Sequence, residues 1–420
     1  MIILGLDIGT TGIGAVLFDT GTHKVIKSLS RSNNAFTKSS LPFEKIQEPQ
    51  LILETVNGIL NELRGEYEAV GISGQMHGII YTDASGNAAS PLFIWQDMRG
   101  AEPLEENKTA AEILGTFPGY GLATHLYNEK NGLVPENAAF LCTAGDYIAM
   151  KLCGKAEPLM HITNAASLGC FDIRSNCFKY ESQLLPRVTA EFEIAGKTAE
   201  GIPVAVCVGD NQASFIGSVP EKDGVLINIG TGSQISYLIE NADDITPGAE
   251  LRPFDGRYYL AAGCALCGGR AFSDFEKFCR EIANTAGAGI DSFYPFLDGI
   301  LDNAPDTELI ADCRFCGTRT DSSLTGGFSN LTESNFTLKD FAASVALGIV
   351  TELHEMYSGP ANPVIIASGN GVRKNPAMAK YIERVFGTAP LTAPYDEEAA
   401  AGAAIAAAIT LGEYRSEFEG

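Results

Sequence analysis

One layout occurs twice in this chain and limits its fold more than any other feature. Leu4-Gly-Leu-Asp-Ile-Gly-Thr-Thr-Gly-Ile-Gly-Ala-Val-Leu-Phe18 reads as a strand, a Gly-Thr turn and a returning strand. Val225-Leu-Ile-Asn-Ile-Gly-Thr-Gly-Ser-Gln-Ile-Ser-Tyr-Leu-Ile239 repeats that order in the second half. Taken singly, each is an ordinary Gly-rich hairpin. One copy in each half of a 420-residue chain predicts a duplicated fold, and the length suits more than one domain. Around the repeats, short β-branched runs alternate with longer helical patterns, the habit of α/β proteins. Strands are expected over 2–7, 13–18, 69–73, 204–208, 224–229, 234–238, 258–262 and 364–367. Helices are expected over 49–64, 101–114, 146–152, 271–282, 338–357, 376–386 and 397–409, the fifth starting at Thr337 with Asp340 in its first turn. No low-complexity linker separates the halves, so the boundary is expected at a tight hinge between Gln212 and Asp223, dividing 1–216 from 217–420.

Turn glycines bare backbone N–H groups that can converge on an anion, and Thr hydroxyls add donors. The first turn offers Gly9, Thr10, Thr11 and Gly12, the second Gly230, Thr231, Gly232 and Ser233. The repeat therefore points to phosphates clamped between the two halves. Asp7, at a strand end beside the first turn, is placed to hold a hydrated Mg²⁺; a turn-capping carboxylate is the plainer alternative. This mode of phosphate binding suits a chain with 52 Asp plus Glu against 29 Lys plus Arg, a formal net charge of −23. The same charge argues against nucleic acid or an anionic membrane as partner. No apolar run reaches the roughly 18 residues of a spanning helix. Met1–Leu6 runs into Asp7 without a basic leader, so a cytoplasmic location is expected. Rival nucleotide motifs fail: Glu191 stands where a P-loop at Gly196-Lys197-Thr198 needs its first Gly, and Gly12-Ile-Gly14 continues to Leu17 where a dinucleotide fold needs Gly.

Three segments are polar where a core would be apolar. Gly74-Gln75-Met76-His77-Gly78 puts an amide and an imidazole at a strand end, and Trp95-Gln96-Asp97-Met98-Arg99 sets the single Trp beside forked hydrogen-bonding groups. An aromatic face with paired donors and acceptors is what a sugar needs. The plainer alternatives are a core histidine for His77 and an Asp97–Arg99 ion pair. In Val208-Gly209-Asp210-Asn211-Gln212, a buried strand gives way to a helix. Asp210 is there either an N-cap or a general base aimed at a substrate hydroxyl. The pairs Cys264/Cys267 and Cys313/Cys316 have zinc-ligand spacing, but small apolar neighbours favour reduced, buried thiols.

The ordered motifs Asp7-Ile-Gly-Thr-Thr, Gly74-Gln-Met-His-Gly78, Trp95-x-Asp97-x-Arg99, Gly209-Asp-Asn-Gln212, Gly230-Thr-Gly232 and Gly369-Asn-Gly371 resemble the FGGY carbohydrate kinases essentially end to end. Within that family, Gly119–His125, Ala144–Ile148 and Asn164–Asp172 are most similar to the sedoheptulokinases. The resemblance implies two actin-like or hexokinase-like (ribonuclease H-like) α/β domains, N-terminal for sugar and catalysis, C-terminal for nucleotide, with an interdomain cleft. It implies ATP and Mg²⁺ as cofactors, a small-molecule sugar as substrate, and a monomer or homodimer. It makes Asp210 the catalytic base and Asp7 the metal ligand. Gln75, Met76, His77, Trp95, Asp97, Arg99 and Asn211 would line the sugar pocket. Gly9, Thr10, Thr11, Gly230, Thr231 and Gly232 would cradle phosphates, and Gly268, Gly369, Asn370 and Asn375 would border the adenosine. The expected reaction is phosphorylation of the terminal hydroxyl of a ketose, sedoheptulose first, with xylulose or another sugar, or a catalytically silent sugar sensor, as alternatives. The chain departs from the family in its shortness, in Asn370 where many relatives have Gly, and in Cys264 and Cys267 where small polar residues are commoner.

Overall fold

The run Ile2–Ile8 has no polar face because both faces of the strand it forms, β1, are covered: Ile3, Leu4, Leu6 and Ile8 are fully buried. The structure is a computed structural model and describes residues 1–104, 107–219, 222–319, 321 and 323–414. Across the first Gly-Thr turn, β1 pairs antiparallel with β2 (Gly12–Asp19), and β2 pairs antiparallel with β3 (Lys24–Ser32). The helix α1 (Pro49–Glu62) then crosses over to β4 (Ala69–Gly74), which lies parallel to β1 on its other edge. Beyond α2 (Ala144–Leu152) and α3 (Ile162–Ser167), three short strands complete this sheet: β5 (Ile194–Lys197), β6 (Pro203–Ala205) and β7 (Val208–Gly209). The order is β5-β6-β4-β1-β2-β3, with β7 also on β4. Helix α4 (Asp210–Ser218) starts directly from β7.

The second half repeats this pairing scheme. Across the second Gly-Thr turn, β8 (Gly224–Ile229) pairs antiparallel with β9 (Ser233–Ile239), β9 antiparallel with β10 (Tyr259–Ala265), and β8 parallel with β11 (Val364–Ser368). β12 (Leu391–Thr392) follows on the far edge of β11. Thus β4-β1-β2-β3 and β11-β8-β9-β10 are the same four-stranded unit built twice. Helices α5 (Gly268–Thr285), α6 (Leu338–Glu355), α7 (Asn370–Arg373) and α8 (Ala377–Phe386) belong to this half. At the start of α6 the Thr337 side chain accepts the amide of Asp340.

The chain divides into one unit of Met1–Pro220, Arg252–Tyr258 and Pro394–Gly420 and another of Glu221–Leu251 and Tyr259–Ala393. A single cut between 216 and 217 is therefore too simple. The C-terminal helix α9 (Glu398–Thr410) packs into the first unit, on α4, β1 and β4. Its Ala and Gly residues allow backbone contact: a Cβ on Gly5 would stand 1.9 Å from Ala400 O, and one on Gly71 1.9 Å from Ala403 O. The hinge expected between Gln212 and Asp223 includes residues 220 and 221, which lie outside the described residues.

Two expected elements are corrected. The helix over 101–114 is a 3₁₀ turn at Arg99–Ala101 and a short helix at Ala110–Leu114. Pro103 bars a continuous helix, and the Thr109–Glu112 capping box restarts one; residues 105 and 106 lie outside the described residues. The strand over 204–208 is broken into β6 and β7, where Asn164 Nδ2 takes the Cys207 carbonyl at 3.2 Å.

Candidate active site

At the first Gly-Thr turn, one hydroxyl joins residues far apart in sequence. Thr10 Oγ1 donates to Gln75 Oε1 at 3.1 Å and accepts from Trp95 Nε1 at 3.0 Å. Gln75 Nε2 donates to Gln47 Oε1 at 3.0 Å, and Gln47 Nε2 to Thr10 O at 2.7 Å, closing a ring of polar contacts. Asn33 Nδ2 holds the Gly9 carbonyl at 2.9 Å. The Trp95 indole is thereby fixed at its N–H edge while 44% of the residue stays exposed, an open apolar platform. Thr10 was expected at phosphate; its side chain instead serves the Gln75–Trp95 network. Thr11 is exposed beside it.

His77 takes a left-handed backbone, φ 75°, at the end of β4. Its N–H donates to Ser167 Oγ at 3.1 Å, and its Nδ1 lies 2.7 Å from Ser167 O. A carbonyl only accepts, so Nδ1 carries a proton. The ring stacks on Tyr120 with centroids 4.3 Å apart and 9° between planes. Met76 is buried against the backbone leading to Asp210: a Cβ on Gly209 would lie 2.9 Å from its sulfur.

Asp97 and Arg99 do not face open space as sugar ligands would. Asp97 is fully buried and Arg99 3% exposed. Arg99 Nε bonds Asp97 Oδ1 at 2.7 Å, Nη1 bonds Asn128 Oδ1 at 2.8 Å and Nη2 bonds Glu44 Oε1 at 2.8 Å. Asp97 also accepts the Lys45 amide at 3.0 Å. These groups are used up holding the Trp95 segment in shape, the ion pair that the spacing of Asp97 and Arg99 left open.

Asp210 is the first residue of α4 and follows a strand pinned from behind. Gly209 N–H donates to Thr163 Oγ1 at 3.0 Å, and Asn164 Nδ2 bridges Cys207 O at 3.2 Å and Asp146 Oδ1 at 3.0 Å. Burial, then the charge of Asp7, pushes the Asp210 carboxyl up to about 7 against the pull of the Asn211 amide and Arg252. Asp7 itself is raised by burial; Ser73 Oγ, donating to its Oδ1 at 2.7 Å, opposes this, and the charge of Glu397 adds to it. The site thus gathers acidic groups that destabilise one another's charge, an arrangement a cation relieves. Asn211 Oδ1 and Gln212 Oε1 are buried acceptors without a hydrogen-bond partner among the described residues. The sequence pointed to Asp210, Asp7 and Asn211 through their motifs. Glu397, Thr163, Asn164 and Asp146 escaped it because only the tertiary fold brings them here.

In the second unit, a cavity of about 600 Å³ opens on the second Gly-Thr turn, a volume within the range of small-molecule sites. Gly230, Thr231, Asn370 and Asn375 line it. Asn375 Nδ2 is a buried donor without a hydrogen-bond partner among the described residues. Gly232, Gly268 and Gly369 lie beneath the wall instead: a Cβ on Gly268 would meet Gly232 C at 2.5 Å, and one on Gly369, φ 86°, would meet Ile229 O at 2.5 Å. Gly269 N–H donates to Gly230 O and Arg270 N–H to Thr231 O, both at 2.9 Å, so the start of α5 and the turn form one surface. Arg270, Asp274, Tyr294, Asp298 and Lys374 also line the wall, and no sequence motif pointed to them. The two C-x-x-C pairs do not converge as four ligands: Cys264 Sγ donates to Gln234 Oε1 at 3.4 Å and Cys313 Sγ to Val345 O at 3.6 Å.

Residues 2–217 match the N-terminal domain of the FGGY family of carbohydrate kinases. The chain is 26% identical to the sedoheptulokinase of Mus musculus, over 96% of each protein. It is 24% identical to the xylulose kinase of Staphylococcus xylosus, over 97% of this chain and 90% of that one. The crystal structure of xylulose kinase from Rhodospirillum rubrum superposes with a TM-score of 0.79 at 20% identity, covering all of this chain and 92% of the other. The duplicated sheets are therefore those of the two-domain, actin-like fold. With the family match spanning residues 2–217, just over half of its length, this chain belongs to the FGGY family of carbohydrate kinases.

Proposed function

We propose that this kinase transfers the γ-phosphoryl group of ATP to the terminal hydroxyl of a ketose, with sedoheptulose as preferred acceptor. The observation that carries the reading is Asp210: a carboxyl raised to about 7 at a helix start, beside the acceptor Asn211 Oδ1, which has no partner among the described residues. A base with that affinity is half ionised near neutrality, where it can take a hydroxyl proton as the oxygen attacks phosphorus. The exposed Trp95 face offers the sugar a stacking surface, while His77 and Asn211 supply directional bonds; Gln75, 3% exposed with Oε1 on Thr10 and Nε2 on Gln47, serves the pocket by holding Thr10 and with it Trp95. The backbone N–H groups of Gly9 to Thr11 and of Thr231 and Gly232 serve the phosphates, the Gly230 N–H being spent inside the turn on Gly232 O at 2.8 Å. The cavity bounded by Asn370 and Asn375, with Gly369 beneath, takes the adenosine. Asp7 would hold Mg²⁺, which supplies positive charge to the phosphates when bound; the mutual repulsion of Asp7, Glu397 and Asp210 fits such an ion.

Sedoheptulose is supported by similarity to a sedoheptulokinase along the whole chain. The xylulose kinase matches favour xylulose as the second reading. Coupled ADP release with ATP, Mg²⁺ and a panel of ketoses, polyols and glycerol tests both. Highest kcat/KM on sedoheptulose is expected. A preference for xylulose keeps the mechanism and replaces the substrate. Silence on every sugar with ATP still bound replaces the enzyme by a sensor.

A further inference from the structure

Ten cysteines are free, and two of them touch: Cys267 Sγ lies 3.7 Å from Cys316 Sγ. They belong to different C-x-x-C pairs, and the fold has broken both pairs to bring these two together. A disulfide requires sulfurs at about 2.05 Å, so a side-chain rotation and a small loop movement separate the dithiol from the bond. The two partners differ. Cys316 is exposed, in the turn that follows Asp312, and Arg270 Nη1 approaches its sulfur at 3.7 Å. An accessible sulfur facing a guanidinium is where oxidants attack thiols first. Cys267 is 1% exposed, and its proton is retained through burial and the bond it makes to Cys316. It is placed to resolve an oxidised neighbour, not to react first.

We propose that Cys267 and Cys316 form a peroxide-sensitive dithiol site whose oxidation weakens nucleotide binding. Cys316 sulfur attacks the peroxide, breaking the O–O bond to leave a sulfenic acid and water. Cys267 sulfur then displaces the hydroxyl of that sulfenic acid, giving the disulfide and a second water. Two thiols and one hydrogen peroxide become one disulfide and two waters, and a dithiol reductant reverses the change. The link to nucleotide is Cys267's place in the chain. It is the residue on which α5 begins. The next three residues are Gly268, packed on Gly232, and Gly269 and Arg270, whose N–H groups hold the carbonyls of Gly230 and Thr231. Drawing Cys267 toward Cys316 pulls on the wall that Gly269, Arg270 and the turn build together. This coupling rests on the nucleotide reading of that cavity.

The test treats the full chain with graded hydrogen peroxide, blocks remaining thiols with iodoacetamide, and maps peptides by mass spectrometry before and after dithiothreitol. ADP affinity is measured by calorimetry on the same samples. A 267–316 cross-link is expected at lower peroxide than modification of the exposed Cys177, with ADP affinity at least fivefold weaker and restored by reductant. Cys316→Ser is expected to bind ADP as the untreated protein does and to be unaffected by the same peroxide. Oxidation of Cys316 to sulfinic acid without a cross-link overturns the dithiol site. A cross-link that leaves ADP affinity unchanged overturns the coupling. Failure of the reduced protein to bind ADP overturns the nucleotide reading instead, and the peptide map still decides the dithiol site.

Discussion

A carboxyl group in the first turn of a buried helix feels opposing influences, and Asp210 shows which prevails. The helix N-terminus favours its charge by about 0.3–1 kcal/mol. The rise from the usual 3.8 to about 7 corresponds to roughly 4 kcal/mol in the other direction, so burial and the charge of Asp7 win. Two consequences follow at this residue. As a base, Asp210 must be ionised, so kcat/KM is expected to fall as pH drops through about 7, with a slope of one proton; a flat profile from pH 8 to 5.5 would remove it from that role. As a structural group, its folded-state value lies above the unfolded one, about 3.9. Its contribution to stability is therefore fully present below about pH 4 and is lost as pH rises through about 7. Asp210→Asn should cost on the order of 10³-fold or more in kcat yet melt at a higher temperature than the parent at pH 8, because it relieves an ionisation penalty of up to roughly 4 kcal/mol. That gain should shrink at pH 5. Melting curves of the two proteins at both pH values check it, and a variant that is less stable at pH 8 would show that Asp210 is held ionised at little cost.

At the scale of elements, glycine separates two kinds of helix in this chain. Gly402 lies inside α9, where a Cβ would stand 1.7 Å from Ala213 O of α4. Gly58 lies inside α1 with nothing within 4 Å of its would-be Cβ. Alanine is the better helix former by about 1 kcal/mol, so Gly58→Ala should raise stability by up to that amount. At Gly402 the same gain is outweighed by an overlap that forces α9 off α4, at a cost of about 3 kcal/mol or more. Opposite shifts of melting temperature are expected, and a rise in both would mean that α9 packs more loosely than its backbone contacts indicate. These elements also show what the sequence could carry. β1, β2 and β8 were legible because their apolar runs are continuous and buried on both faces. The helix Gly121–Lys130 was not, because Thr124, His125 and Asn128 are buried polar groups and leave no apolar stripe. The broken strand at Cys207 was hidden for a related reason: the residue that takes its carbonyl, Asn164, is 43 positions away.

For the molecule as a whole, the duplicated hairpin explains why the motifs were readable and their surroundings were not. Each Gly-Thr turn is a local object, and its sequence is sufficient to identify it. Trp95 and Gln75 meet only through Thr10 in the first unit, and Arg270, Asp274 and Lys374 gather only on the folded wall of the second. The groups proposed for sugar thus lie in the first unit, and the cavity proposed for adenosine lies wholly in the second. That separation predicts separable binding defects. Trp95→Ala removes a stacking surface, and aromatic burial contributes about 0.5–1.5 kcal/mol beyond area. The expected result is a ketose KM raised about tenfold, with ADP affinity within twofold of the parent. Lys374→Ala removes a cation from the cavity wall and should do the reverse, weakening ADP while leaving the ketose KM nearly constant at saturating ATP. Steady-state kinetics with calorimetric ADP titration distinguishes the two variants. If Trp95→Ala instead weakened ADP as much as sugar, Trp95, through the Thr10 hydroxyl to which its indole N–H donates, would have to be assigned to the nucleotide's phosphates and not to the acceptor.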